Sequence, residues 1–107
     1  MSEGLLDSGY VGPAAVIAGS VLEEHLRKLA AKLALTLKND RGRDISAETL
    51  GVDLRKAGAI TEVQRKRVVA WYAIRNEAAH NVEHSIDRVD VERMIDGVRG
   101  FVARHPA

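Results

Sequence analysis

The sequence of 107 residues contains no cysteine and few aromatic side chains. The absence of cysteine excludes disulfide scaffolds, zinc–thiolate sites, iron–sulfur clusters and thiol nucleophiles. Aromatic residues make up only 4%, too few for a platform on which RNA bases stack. The formal net charge of +1 argues against a protein that coats nucleic acid through bulk electrostatics.

Long apolar runs are also missing. An apolar stretch opens at Pro13, is soon followed by Glu23 and Glu24, and is too short to span a bilayer. No Lys or Arg precedes it, unlike in a secretory signal peptide. The sequence therefore predicts a cytoplasmic protein that does not associate with membranes. We expect residues 1–12 to be a leader or linker and residues 13–107 to form a single domain, since so short a chain builds one core.

Apolar side chains recur with helical spacing along the whole domain. From Pro13 to Leu37 the pattern predicts one long amphipathic helix. Its apolar face would carry Ala14, Ala18, Val21, Leu22, His25, Leu26, Leu29 and Leu33, with Ser20, Glu23, Glu24 and Arg27 on the polar side.

Three shorter helices follow, each marked by a capping signal. Ser46 is expected to cap the second helix, which Gly58 ends. Thr61 and Gln64 form a capping box that opens a third helix running to about His80. Asp87 is expected to cap the last helix, whose buried stripe would be Val91, Met94, Ile95, Val98, Phe101 and Val102. With no strand-like alternation, the fold class is all-α, an up-down bundle of four to five helices.

The third helix contains seven consecutive apolar residues, Val68–Ile74. A helix that is apolar all round is buried all round, so we expect it to be the central helix or to have one face covered by a second chain. Arg75, Asn76 and His80 follow directly. Arg75 lies on the same side as Val68, and Asn76 and His80 are four residues apart on one face.

These three side chains suit phosphodiester chemistry without a metal or cofactor. An imidazole exchanges protons near neutral pH, so His80 would deprotonate or position a ribose 2′-hydroxyl. The Arg75 guanidinium would hold the scissile phosphate, and Asn76 would orient His80 or bond to the phosphate. In-line cleavage needs a base and an acid on opposite sides of the phosphate. One chain supplies one such set, so a two-fold homodimer is expected to complete the site.

The run Arg75–His80 resembles the R-N-x-x-x-H signature of the HEPN superfamily (higher eukaryotes and prokaryotes nucleotide-binding domains), and the similarity of helix order covers nearly the whole chain. The resemblance implies a helical bundle, a homodimer formed through the motif helix, and in many members metal-independent endoribonuclease activity in defence, toxin–antitoxin or RNA-processing systems. Its implied partners are RNA and a cognate antitoxin or an adjacent domain. Many toxin members carry a tyrosine two residues after the histidine, where this sequence has Val82.

Two other interpretations of this segment stand beside the ribonuclease hypothesis. Arg75 and Asn76 would serve only structure if they satisfied loop carbonyls in a non-catalytic dimerisation module, with His80 as a C-cap. Residues 80–84 also spell H-x-x-E-H, an inverted zinc-protease motif that needs an unbroken helix to bring His80 and His84 onto one metal. Asn81, between these two histidines, favours a turn instead, so no metal site is expected.

Basic residues upstream of the motif are the candidate substrate-binding group. Arg65, Lys66 and Arg67 precede Arg75 by about two turns and are read either as a solvated face or as a rim that guides an RNA backbone, to which Arg41 and Arg43 would add. On the first helix, His25 is expected to be a core histidine or to approach the motif helix, and Glu24 to pair with Arg75. Trp71 and Tyr72 are expected in the core or a dimer interface.

Overall fold

The computed structural model describes Gly4, residues 9–80 and residues 86–107. In these parts the chain forms four helices, which we label α1 (Val11–Lys32), α2 (Ala47–Lys56), α3 (Glu62–Ala79) and α4 (Arg88–Arg104). The predicted all-α helical bundle is confirmed. Helix α1 packs against each of the other three helices, whereas α3 and α4 meet only sparsely. No helix in the described ranges is long and apolar enough to cross a membrane.

The predicted starts of the three shorter helices are confirmed by their caps, whereas α1 starts at Val11, two residues before the predicted Pro13, and has no side-chain cap. The Ser46 hydroxyl accepts a hydrogen bond from the Thr49 backbone N–H at 3.2 Å. Thr61 and Gln64 form both bonds of the capping box, at 2.8 and 3.2 Å. Asp87 accepts from the Val89 N–H at 2.8 Å and starts α4. These short-range bonds satisfy N–H groups that have no partner inside the helix, which is why they can be predicted from neighbouring residues alone.

The core forms where the apolar stripes of α1 and α4 meet. All predicted stripe residues of α4 are buried except Val102, which is partly buried. On α1 the prediction was wrong for Val21 and Leu33, which are 47% and 44% exposed. Two small residues, Ala15 and Ala30, are buried instead, so the inward face of α1 is rotated slightly from the predicted one.

Helix α1 ends at Lys32, five residues before the predicted end at Leu37. The chain reverses through Ala34, whose φ is 57°, and the Leu35 N–H bonds back to the Ala30 carbonyl at 2.8 Å. This is the Schellman arrangement that usually places glycine at the left-handed position. Leaving the helix lets Leu35 and Leu37 pack against the core. The apolar periodicity of the sequence therefore continued past the point where the backbone turns.

The left-handed alanine leads to a stability prediction. Ala34→Gly relieves the steric cost of a Cβ at positive φ, and the greater freedom of glycine in the unfolded chain offsets part of that gain. We expect the free energy of unfolding to rise by roughly 0.5–1 kcal/mol. The matched control is Ala31→Gly, an exposed position one turn earlier with helical backbone, which should lose about 1 kcal/mol. Urea denaturation of both variants measures the difference, and a loss of stability in Ala34→Gly would contradict the assigned cap.

Candidate functional site

The seven-residue apolar run of α3 is only partly buried. Val68 and Tyr72 face the core, and Trp71 and Ile74 are partly buried against it. Val69 is 40% exposed, and Ala70 and Ala73 are also exposed. The expectation that α3 is the central helix was wrong, because α1 takes that place. The remaining interpretation is that a second chain covers this exposed apolar strip, which we define as Val69, Ala70 and Ala73.

Arg75 lies across α1 at the one buried glycine of that helix. A Cβ built on Gly19 would stand 2.4 Å from the Arg75 Cγ and 2.8 Å from its Cβ. The aliphatic stem of Arg75 therefore fills the space that any larger residue at position 19 would need. Beyond the stem, Arg75 Nη1 donates a hydrogen bond to Asn76 Oδ1 at 3.3 Å. The partly buried stem thus fixes where the guanidinium leaves the protein surface.

A hydrogen-bonded network joins α3 to α1 beside the contact between Gly19 and Arg75. The Tyr72 hydroxyl lies 3.4 Å from the Gly19 carbonyl oxygen and 3.2 Å from Glu23 Oε1. Arg27 donates to Glu23 at 3.2 Å and to the Ile45 carbonyl at 2.8 Å. Burial raises the pKa of the Tyr72 hydroxyl, and the Glu23 carboxylate raises it further against the opposing charge of Arg75. Tyr72 is therefore a neutral donor that ties α3 to α1.

Sequence reasoning chose the wrong glutamate as a partner for the motif region. Glu24 is exposed and pairs with Lys28 at 3.1 Å, so the expected contact with Arg75 was wrong. Glu23, assigned to the polar side, is the partly buried one and binds Tyr72. The i, i+4 spacing could not have distinguished the two glutamates, because Glu23 pairs with Arg27 and Glu24 with Lys28 at the same spacing.

Asn76 and His80 lie on the outer side of α3. Both are exposed, and the His80 backbone N–H bonds to the Asn76 carbonyl at 3.1 Å as the helix ends. The Asn76 side chain accepts from Arg75, so in a single chain it orients the guanidinium rather than the imidazole. Arg75 and His80 are about 140° apart around the helix axis. One chain therefore presents the imidazole outward, next to the exposed apolar strip, and seats the stem of Arg75 on α1.

The three basic residues upstream have different environments. Arg65 makes a two-pronged contact with Glu62 at 2.6 and 3.0 Å, and Arg55 approaches the same carboxylate at 3.2 Å. The hydrogen bond from Arg65 lowers the pKa of Glu62. Lys66 is exposed, and Arg67 lines a groove between α3 and α4. Arg65 thus shares the Glu62 carboxylate with Arg55, whereas the Lys66 and Arg67 side chains extend from the surface.

His25 lies away from the motif. Its Nε2 donates to the His105 carbonyl oxygen, and its ring stands edge-on to Phe101 with centroids 6.3 Å apart. His25 therefore holds the chain that follows α4. Burial lowers the pKa of His105, with the His25 and Arg104 charges adding to the shift. Of the two histidines in the H-x-x-E-H pattern, His84 lies outside the described residues, and no cluster of three metal-ligating side chains occurs in the described ranges.

An apolar cavity of about 890 Å³ adjoins the end of α3. Ala78 and Ala79 form one wall, and Val16, Ile17 and Ile86 contribute to the others. Its described lining contains no charged side chain, so it lacks the groups that hold a phosphate.

Comparisons with family models, with curated proteins and with solved structures each find no match for this chain. The functional argument therefore depends on the side chains of α3 and their geometry.

The contact between Gly19 and Arg75 gives a direct prediction. Gly19→Ala places a methyl group inside the Arg75 stem, so Arg75 must shift or the helices must separate. Overpacking of this kind costs about 1–3 kcal/mol. Urea unfolding should show that loss for Gly19→Ala and no loss for Gly12→Ala, a position on the same helix with no atom within 4 Å of the added Cβ.

A second substitution checks the cause of that loss. Adding Arg75→Ala to Gly19→Ala removes the Arg75 Cγ that clashes most closely with the new methyl group but leaves the Arg75 Cβ, which is 2.8 Å from it. The double variant should therefore recover part of the lost stability. Additive losses in the double variant would mean that Gly19 is needed for a reason other than its contact with Arg75.

Proposed function

We propose that this chain is a HEPN-like domain that acts as a homodimeric, metal-independent endoribonuclease. The observation that carries the proposal is the arrangement at the end of α3. The Arg75 stem is seated on Gly19 and its guanidinium is oriented by Asn76, while His80 is exposed one turn further on. An accessible imidazole can act as the base of RNA cleavage without a metal, and a fixed guanidinium can stabilise the charge that develops on the phosphate.

The chemistry assigns one step to each group. His80 takes the proton of a ribose 2′-hydroxyl, and the freed oxygen attacks the adjacent phosphorus. The bond from phosphorus to the 5′-oxygen breaks, and that oxygen takes a proton from an imidazolium on the opposite side. The products are a 2′,3′-cyclic phosphate and a 5′-hydroxyl. Arg75 binds the non-bridging oxygens and stabilises the charge that develops on them.

The second imidazole comes from a second copy of the chain. The exposed apolar strip of Val69, Ala70 and Ala73 lies on the same side of α3 as His80. Pairing two such strips about a two-fold axis removes apolar surface from water and brings two copies of His80 to one cleft. The partner in toxin–antitoxin or defence systems follows only from the resemblance of Arg75–His80 to the family signature.

The site residues are tested by RNA cleavage in the presence of a chelator. Arg75→Ala and His80→Ala should each reduce the cleavage rate by about 10²-fold or more, with helix content unchanged by circular dichroism. His84→Ala is the control and should cleave RNA like the wild type. A zinc site built on H-x-x-E-H would instead need His84, and the wild-type enzyme would then lose its activity in chelator. If the wild-type protein cuts no RNA and His80→Ala chiefly lowers the melting temperature, the chain is instead a non-catalytic dimerisation module.

The dimer is tested separately from cleavage. Ala73→Glu places a charge at the centre of the exposed apolar strip, so sedimentation should show a monomer where the wild type is a dimer. Val89→Glu is the matched control, since Val89 is an equally exposed apolar residue on α4. A wild-type monomer at high micromolar concentration would rule out the composite site.

A further inference from the structure

A second polar site lies between α3 and α4, about two turns before Arg75. It is a groove of about 100 Å³. Helix α3 contributes Gln64, Arg67 and Trp71, and α4 contributes Asp96, Gly97, Gly100, Phe101 and Arg104. The groove exists because α3 and α4 each pack on α1 and only sparsely on each other.

The floor of the groove is built by an aromatic ring on a glycine. A Cβ on Gly97 would stand 2.4 Å from Trp71 Cζ2, so the indole packs closely against the α4 backbone at this glycine. Phe101 supports the indole edge-on, with ring centroids 6.3 Å apart. Gly100 lies beneath the Arg104 guanidinium, whose Nη2 would be 3.9 Å from a Cβ at that position. A rigid apolar floor with a guanidinium folded over it is thus formed by residues of both helices.

The charge in the groove is unbalanced. In the part of the chain that the structure describes, neither Arg67 nor Arg104 has a carboxylate within ion-pair distance, although Asp96 lines the same groove. By contrast, Arg65 forms an ion pair with Glu62, which lies one helical turn earlier on α3. Because both arginines line the same small groove, an anion bound there would have two guanidinium groups as possible donors.

We propose that this groove binds a phosphate group, and that Arg67 and Arg104 are its ligands. A guanidinium recognises phosphate oxygens in a two-pronged manner, and the Gln64 amide is a further donor. The Asp96 carboxylate repels a second negative charge on the ligand, so a phosphodiester with one charge fits better than a phosphate dianion. The inference deepens the proposed function, because it names where an RNA strand outside the cleavage site is held.

The test uses Trp71, the only tryptophan of the chain. The probes are inorganic phosphate, a nucleoside 5′-monophosphate and a dinucleoside monophosphate whose 2′-O-methyl group blocks cleavage. At constant ionic strength the dinucleotide should produce a saturable change in Trp71 emission and bind most tightly of the three. Calorimetric titration measures the same affinities independently of the indole.

Substitutions then locate the binding. Arg67→Ala and Arg104→Ala should each weaken binding of the dinucleotide by about tenfold or more. Arg93→Ala is the matched control, since it removes an exposed guanidinium of α4 that does not line the groove. Asp96→Asn should strengthen binding of inorganic phosphate more than that of the dinucleotide. Unchanged affinity in both arginine variants, or no saturable binding by calorimetry, would overturn the proposal.

The outcome is distinguishable from that of the cleavage test. Binding of the blocked dinucleotide at Arg67 and Arg104 without any RNA cleavage would support the groove and contradict the ribonuclease. Cleavage with the same KM in wild type, Arg67→Ala and Arg104→Ala would support the ribonuclease and overturn the groove.

Discussion

The close approach of α3 to α1 at Gly19 is the constraint on which the functional end of the molecule depends. Arg75 occupies the volume that a side chain at position 19 would take, and the Tyr72 hydroxyl lies near the Gly19 carbonyl. These two contacts fix the rotation of α3 about its axis. Because residues of a helix project at set angles, fixing Arg75 and Tyr72 inward also fixes Asn76 and His80 outward. A packing contact in the core thereby decides which groups meet solvent or a partner.

How far the sequence predicts this structure depends on the range of the interaction. The caps at Ser46, Thr61 and Asp87 and the buried stripe of α4 were predictable, since each needs only neighbouring residues and helical periodicity. The end of α1 was not, because Ala34 adopts a backbone conformation that alanine rarely takes. The gain that offsets it is long-range: Leu35 and Leu37 pack on the core after the turn.

In the candidate site too, short-range features were predictable from the sequence and long-range contacts were not. The motif residues and their order could be identified in the sequence, but not which contacts they make. Asn76 was expected to serve His80 and bonds to Arg75, and Glu23 rather than Glu24 supports the region. Arg67 was one of the predicted substrate-binding residues, but its neighbourhood with Arg104 was not predictable, because the residues of the groove come from two helices about 30 positions apart and depend on Gly97 to admit the indole of Trp71. A glycine within a helical pattern suggests a weak point of the helix. Here Gly19 and Gly97 instead allow close contacts between helices.

The small net charge of the chain acquires a physical meaning from these placements. A protein with a formal charge of +1 cannot hold RNA through a broad positive surface. The proposed function instead places the strand at discrete points where a guanidinium is positioned by packing, as Arg75 is on Gly19 and Arg104 is over Gly100. A site with only a few phosphate contacts has low affinity for RNA in a single chain, because salt weakens each contact. Doubling the contacts about a two-fold axis raises the effective concentration of the second contact once the first has formed. In the proposed function, a homodimer that adds a second imidazole would therefore also raise the affinity for RNA above that of one chain.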